Sequence, residues 1–286
     1  MDHWYTFAVI ALIFLGFQRF LYKVSAERGC NSAWTSFSFM GTVALLSTVL
    51  FFAMDETVQS GGFLLLVALV NSLTFFAATM SNMEALKRIP AGVAYPIIRL
   101  NAAIVVVFSI FYFGDDLSGY QGMGIFLALG AVVILARDTE PKDGSDGNRK
   151  LGFLFMGISI LAGALASISS KFAALYTNKM AFMAVSYTFA TFFAFGFRKK
   201  AQSKDANTHH KDALLIGFFM GLINLAGFYC YLEALTTGPL SIIVSIMAMH
   251  FVIAVILSAL IYGEKLNRWR ITGILLTMTS ILLLRL

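Results

Sequence analysis

Ten mostly apolar stretches, each close to the length of a bilayer crossing, follow one another through this chain with short polar breaks between them. They cover residues 4–22, 33–53, 62–83, 91–113 and 119–136, then 151–176, 180–197, 213–235, 240–262 and 269–286. About 20 apolar residues cross the hydrocarbon core of a bilayer. In lipid the backbone must satisfy its own hydrogen bonds, so stretches of this kind are expected to be helices. Strands of a membrane barrel would alternate polar and apolar residues, and these do not. The expected fold class is an all-α polytopic membrane protein.

Composition agrees. Hydrophobic residues make up 59% of the chain, charged residues 13%, and the mean hydropathy is +0.80. A soluble domain carries roughly a quarter charged residues. The net charge of +6 does not point to a nucleic-acid partner, because most basic residues fall in the breaks between apolar runs. Cys30 and Cys230 match no metal or redox spacing. The chain starts Met-Asp-His-Trp and runs apolar without a basic n-region or A-x-A site, so it reads as a first span rather than a cleaved signal.

The chain repeats itself. Displaced by 149 residues (233 minus 84), Glu84-Ala85-Leu86 falls on Glu233-Ala234-Leu235 and Pro90 on Pro239. Gly114-Asp115 and Leu117 fall on Gly263-Glu264 and Leu266, and Gly124-Ile125 on Gly273-Ile274. With a displacement of 148, Lys23 falls on Lys171, Ala33 on Ala181, Trp34 on Phe182 and Ser38 on Ser186. Apolar composition alone would not align the glutamate, the proline and two separate glycines. The division read from this is a first five-span repeat over 1–137, a polar linker over 138–150 and a second repeat over 151–286. Five is odd, so the second half enters the membrane inverted. Inverted repeats are an architecture of secondary transporters, with sites near the midplane between the repeats.

The pattern Glu-Ala-Leu, Pro90, a long apolar span, Gly114-Asp115 and Gly124, given again as Glu233-Ala-Leu, Pro239, Gly263-Glu264 and Gly273, resembles the EamA-type repeat of the drug/metabolite transporter superfamily. The resemblance covers nearly the whole chain. It implies ten helices, a central cavity lined largely by spans three, four, eight and nine, and export or uptake of small metabolites. Members often carry a proline in spans four and nine about twelve residues before the Gly-acid pair. Here Ala102 and Phe251 stand there, and Pro96 is the one proline well inside a span. The usual kink is therefore expected to be moved in one half and absent in the other.

The breaks after odd-numbered spans, with their flanks, hold most of the basic residues outside the spans, while the other side holds Lys179 and Arg285. The positive-inside rule then puts both termini outside, whereas the resemblance implies both termini in the cytoplasm.

An ionisable residue within a span is a functional hypothesis by default, because its insertion costs at least roughly 2.5–3.5 kcal/mol at the centre. Arg99 lies about 12 Å into the fourth span at roughly 1.5 Å per residue, with Tyr95 one turn earlier on the same face. The pair would hold an anionic group of a substrate, or Arg99 would pair with a buried glutamate. His250 lies midway along the ninth span and Asn101 is its repeat equivalent. They read as a polar pair across the pseudo-two-fold axis, with His250 able to exchange a proton near neutral pH, or as packing groups. Glu84 and Glu233 close spans three and eight, with Tyr229 one turn before Glu233; the glutamates suit interfacial bonds to neighbouring helix ends, while Tyr229 and Glu233 are also substrate-binding candidates. Asn71 and Asn224 are midspan amides that line a cavity or bond across helices. Arg19 and Lys23 are expected to snorkel to the headgroups, while Lys171, further inside its span, is a substrate-binding candidate. Asp115, Glu264 and Lys265 read as turn and cap residues.

The function expected is secondary transport of a small organic metabolite, an amino acid or organic anion, by alternating access in the inner cell membrane. Proton or ion coupling would be carried by His250 or Glu233, with no cofactor and no metal, in a monomer or homodimer. The competing reading, a membrane enzyme acting on a lipid or head-group substrate, would need catalytic groups gathered at one interface, and no H-E-x-x-H or G-x-S-x-G is present. A scaffold or receptor is disfavoured by midspan polar residues in both halves.

Overall fold

The computed structural model describes residues 3–55, 57–86, 88, 97–98, 100–136, 149–201, 210–263 and 267–286. These residues are helical with short connections. In chain order the helices are α1 (His3–Glu27), α2 (Ser32–Ala53), α3 (Gly61–Leu86), α4 (Leu100–Phe113), α5 (Gly119–Ala136), α6 (Arg149–Tyr176), α7 (Lys179–Ala201), α8 (His210–Thr237), α9 (Leu240–Ala248), α10 (Phe251–Tyr262) and α11 (Arg268–Arg285). They overlie the ten apolar stretches, α9 and α10 sharing the ninth. Among the described residues six segments are long and apolar enough to cross a membrane: His3–Ser25, Ala33–Ala53, Gly61–Asn82, Lys150–Tyr176, His210–Thr237 and Leu240–Tyr262.

The helix ends are chemically punctuated. Asn31 caps α2 by accepting from Ala33 N at 2.9 Å and Trp34 N at 3.4 Å, and Asn267 caps α11 by accepting from Trp269 N and Arg270 N. Gly114 and Gly263 end α4 and α10 with φ of 67° and 65°. That left-handed conformation penalises any side chain with a Cβ, which explains why both repeats place glycine there.

The principal helix pairings cross between the halves. α1 packs on α8, α3 on α6, α2 on α7 and α8, α5 on α11, α4 on α9, and α1 on α10. The pairs α1–α8 and α6–α3 are one contact repeated with the halves exchanged. So are α1–α10 and α6–α4, and α2–α8 and α7–α3. Small residues let these backbones approach. A Cβ on Gly217 would stand 2.5 Å from Thr35 O, and one on Gly221 2.6 Å from Thr42 Cβ, so α2 lies directly on α8. Ser38 Oγ donates to Leu214 O at 2.7 Å across the same contact, and Ser280 Oγ to Gly124 O at 2.7 Å between α11 and α5. Large apolar side chains point outward, among them Phe111 (86% exposed) and Phe126 (75%), as a lipid-facing surface requires.

The ninth stretch departs from expectation. A continuous helix without the family's kink is expected where Phe251 replaces proline, yet the helix breaks at Met249–His250. Met249 N donates to Ile246 O at 3.0 Å, and His250 N to Met247 O at 3.2 Å. The turn has tightened from i→i−4 to i→i−3 bonding. Histidine's ring supplies what proline does not: its Nδ1 bonds the Met247 carbonyl, drawing that oxygen away from the regular ladder.

Candidate functional site

His250 sits at the break, near the middle of the ninth segment, and a residue from the other half of the chain meets it. Arg19 Nε donates to His250 Nε2 at 2.8 Å. An Nε2 that accepts cannot carry a proton, so the network assigns the proton to Nδ1, which donates to Met247 O. His250 is thus a neutral imidazole of defined tautomer. Gly16, one turn before Arg19, makes the approach possible. A Cβ there would stand 2.8 Å from His250 O and 2.5 Å from Ile253 Cβ. Arg19 was expected to snorkel outward. Its side chain instead reaches the broken turn, because helical side chains lean toward their own N-terminus and that direction leads deeper into the bundle.

Asn101, the repeat equivalent of His250, is half-buried on α4 against Gly163 of α6, where an added Cβ would stand 2.8 Å from Asn101 Nδ2. Polar residue on the fourth span of one half against glycine on the other half's first span is therefore an arrangement made twice. Arg99 and Tyr95 lie outside the described residues, as do Pro90, Pro96, Glu264 and Lys265.

Lys171 is 6% exposed. Its Nζ donates to Leu235 O at 2.6 Å and Gly238 O at 2.9 Å, so a buried cation holds the C-terminal carbonyls of α8. Immediately beyond, Asp115 Oδ2 accepts from Ser241 N at 2.9 Å, from Ser241 Oγ at 2.6 Å and from Ser109 Oγ, and so caps the first turn of α9 from the other half. The α8–α9 turn is clamped between a lysine on its own half and an aspartate on the other. Lys171 Nζ also stands 5.7 Å from the centre of the Phe113 ring, and Lys23 Nζ 5.4 Å from that of Tyr262. Lys23 and Lys171, and Phe113 and Tyr262, are repeat equivalents, so this cation–π contact is also made twice between the halves, with the halves exchanged.

The two midspan amides are buried and well partnered. Asn71 Nδ2 donates to Ala166 O, Ser169 Oγ and Ser170 Oγ at 2.9–3.0 Å, and its Oδ1 accepts from Ser186 Oγ at 3.2 Å. Asn224 Nδ2 donates to Gln18 Oε1 at 2.9 Å, and its Oδ1 accepts from Tyr187 Oη at 2.6 Å. Each ties the third span of one half to the first span of the other. Glu233 pairs with Lys179 at 2.8 Å and Glu84 with Arg88 at 2.6 Å, both partly exposed at helix ends. Tyr229 is half-buried against the core. The structure thus joins His250 to Arg19 and Lys171 to the α8–α9 turn, and keeps the two asparagines on separate helix contacts.

Sequence reading passed over Gln18, Gly16 and Tyr187, and gave Arg19 a snorkelling role only. The signal available was helical spacing. Leu12, Gly16, Arg19 and Lys23 form one stripe of α1. Asn82 Oδ1 was also passed over. It is buried on α3 with no hydrogen-bond partner among the described residues.

A helical bundle with lipid-facing aromatics, a broken apolar segment and contacts made twice by exchanged halves belongs to the class of multi-pass membrane proteins. Comparison with known proteins makes this specific. The profile of the EamA-like transporter family matches residues 3–137 and again 150–286. The chain belongs to the EamA-like transporter family, within the drug/metabolite transporter superfamily, and is a membrane transporter by that membership. No curated protein matches it. One solved crystal structure, described only as that of a protein, is 14% identical and superposes with a TM-score of 0.78, covering 98% of each chain. At that identity it is the fold that is shared.

Proposed function

We propose that this chain is a secondary transporter of a small organic metabolite, an amino acid or organic anion, in the inner cell membrane. It would work by alternating access between two inverted halves of five spans. The observation that carries this reading is the broken ninth segment, where His250 meets Arg19 from the other half at mid-segment. Ionisable groups at such depth line substrate and ion pathways, and discontinuous helices at the repeat interface form the sites of such transporters. Support also comes from the exchanged packing. Because contacts such as Lys23–Tyr262 and Lys171–Phe113 are equivalent, each half can adopt the arrangement of the other at small cost. The substrate site would gather Arg99, Tyr95, Asn101 and His250 from spans four and nine, with Tyr229 and Glu233 from span eight at its edge. Asn71, Asn224 and Lys171 would hold the helices that frame it.

The test is a thermal-shift screen of the purified protein against a metabolite library, followed by flux of each stabilising compound into proteoliposomes. Transport that is lost in Arg99→Ala and His250→Ala is the expected result. Stabilising compounds that cross protein-containing vesicles no faster than empty ones would overturn the reading.

A further inference from the structure

Arg19 raises a question of charge balance. It belongs to the stripe Leu12, Gly16, Arg19 and Lys23, spaced to share one face of α1. Ile13 and Phe17, 43% and 41% exposed, lie roughly 100–140° further round the helix. On the inner stripe Leu12 and Gly16 are buried against the bundle, whereas Arg19 is exposed. Arg19 shares its exposure with Tyr22, on the side of α1 that reaches the break in the ninth segment. There the guanidinium gives only Nε to His250 and lies 6.0 Å from the centre of the Tyr22 ring. Among the described residues no carboxylate pairs with it. Its terminal nitrogens keep the forked geometry that suits a carboxylate or phosphate.

The neighbouring charges do not change this balance. On α1 the titratable groups nearby are Tyr22 and Lys23, and on α10 there is Tyr262, which Lys23 faces. α4 and α5, packed on α9, carry Tyr112 and Tyr120, and Asp115 between them is bonded to Ser241 at the start of α9. α11, packed on α10, carries Arg268, Arg270 and Arg285 near its ends.

We propose that Arg19 and His250 form a proton-linked anion site where α1 meets the broken ninth segment. In the state seen here the Nε2 lone pair of His250 occupies the guanidinium. When Nε2 takes a proton from water it loses that lone pair and becomes a donor, and Arg19 Nε loses its acceptor. Two cations then face one space, and an anionic oxygen pair entering it accepts from the guanidinium and from Nε2–H. One proton and one monoanion enter together, so loading adds no net charge. When the anion leaves, Nε2 returns its proton to water and the Arg19–His250 bond re-forms. As a coupling device the site rests on the transport reading above. As a binding site it does not.

The experiment is calorimetric titration of the full chain in lipid nanodiscs with acetate, succinate and inorganic phosphate, using acetamide as the uncharged control. Each titration is run in two buffers of different ionisation enthalpy and at several pH values. The expected result is uptake of about one proton per anion, with affinity falling about tenfold per pH unit where His250 is neutral. Arg19→Gln should weaken binding at least tenfold. His250→Gln should remove both the proton uptake and the pH dependence. Imidazole ¹⁵N spectra of the unsubstituted protein at pH 8 should show Nε2 unprotonated, a readout that does not depend on either variant folding. Failure of all three anions to bind, binding without proton uptake, or unchanged affinity in Arg19→Gln would overturn the proposal. Proteoliposome flux that persists in Arg19→Gln would leave transport standing and remove the coupling role. Proton-linked binding without flux would do the reverse.

Discussion

Arg19 Nε and His250 Nε2, 231 positions apart in the chain, share a hydrogen bond of 2.8 Å that ties the first span to the break in the ninth. The bond fixes the histidine tautomer, and through Nδ1 it fixes the carbonyl around which the helix turns. Its energetic weight is open to a direct test. Arg19→Leu and His250→Leu should each destabilise the protein by about 1–3 kcal/mol, since each leaves a polar partner without its bond. The double variant should lose less than the sum. Thermal unfolding in detergent measures all three, and simple additivity would show that the bond carries no coupling.

Gly16 is the space in which that bond forms. Gly16→Leu should force α1 away from Ile253 and His250, because even a Cβ would stand 2.5 Å from Ile253 Cβ. Overpacking of this kind costs about 1–3 kcal/mol. Gly122→Leu makes the matched control, since nothing lies within 4 Å of a Cβ there. A melting temperature lowered in the first variant and unchanged in the second is the expected pair of results.

Lys171 separates a structural role from a substrate role. Lys171→Met leaves the Leu235 and Gly238 carbonyls buried without their donor, which should destabilise by about 1–3 kcal/mol. Lys171→Arg should recover part of it. A variant with full thermal stability but weakened substrate binding would place Lys171 in the pocket instead.

Asp115 should behave as a cap supplied from the other half. Asp115→Ala removes the acceptor of Ser241 N and Oγ and should cost about 0.5–2 kcal/mol. Asp115→Asn keeps an acceptor oxygen and should cost less. Hydrogen exchange at the first turn of α9 reports the loss locally.

The two halves should not fold apart. The main contacts of α1, α2 and α3 are with α6, α7 and α8 and not with each other. Residues 1–137 expressed alone should be degraded or aggregate, as should residues 151–286, while the two co-expressed should co-purify. A protease-resistant single half would contradict this.

Hydropathy and spacing on one strand of text carried far. The ten apolar stretches, the repeat at 149, glycine at both 114 and 263 and the depth of His250 were all legible, because each is a property of neighbours in sequence or of a comparison of the chain with itself. The cap reading of Asp115 was legible too, since the acid follows a helix-ending glycine. Its target, Ser241, was not.

What only the tertiary structure decided is which helix of one half meets which of the other. Apolar faces in lipid carry little preference of their own, and pairing is settled by where small residues and polar groups coincide across a contact. Gly16 against His250, Gly217 against Thr35, Asn224 against Gln18 and Lys171 against Leu235 are such coincidences. No linear pattern links their members. The sequence by itself determined a duplicated helical membrane protein with a histidine deep in its ninth span. Folding decided that the histidine is neutral, that its partner is Arg19, and that the ninth helix breaks there without a proline.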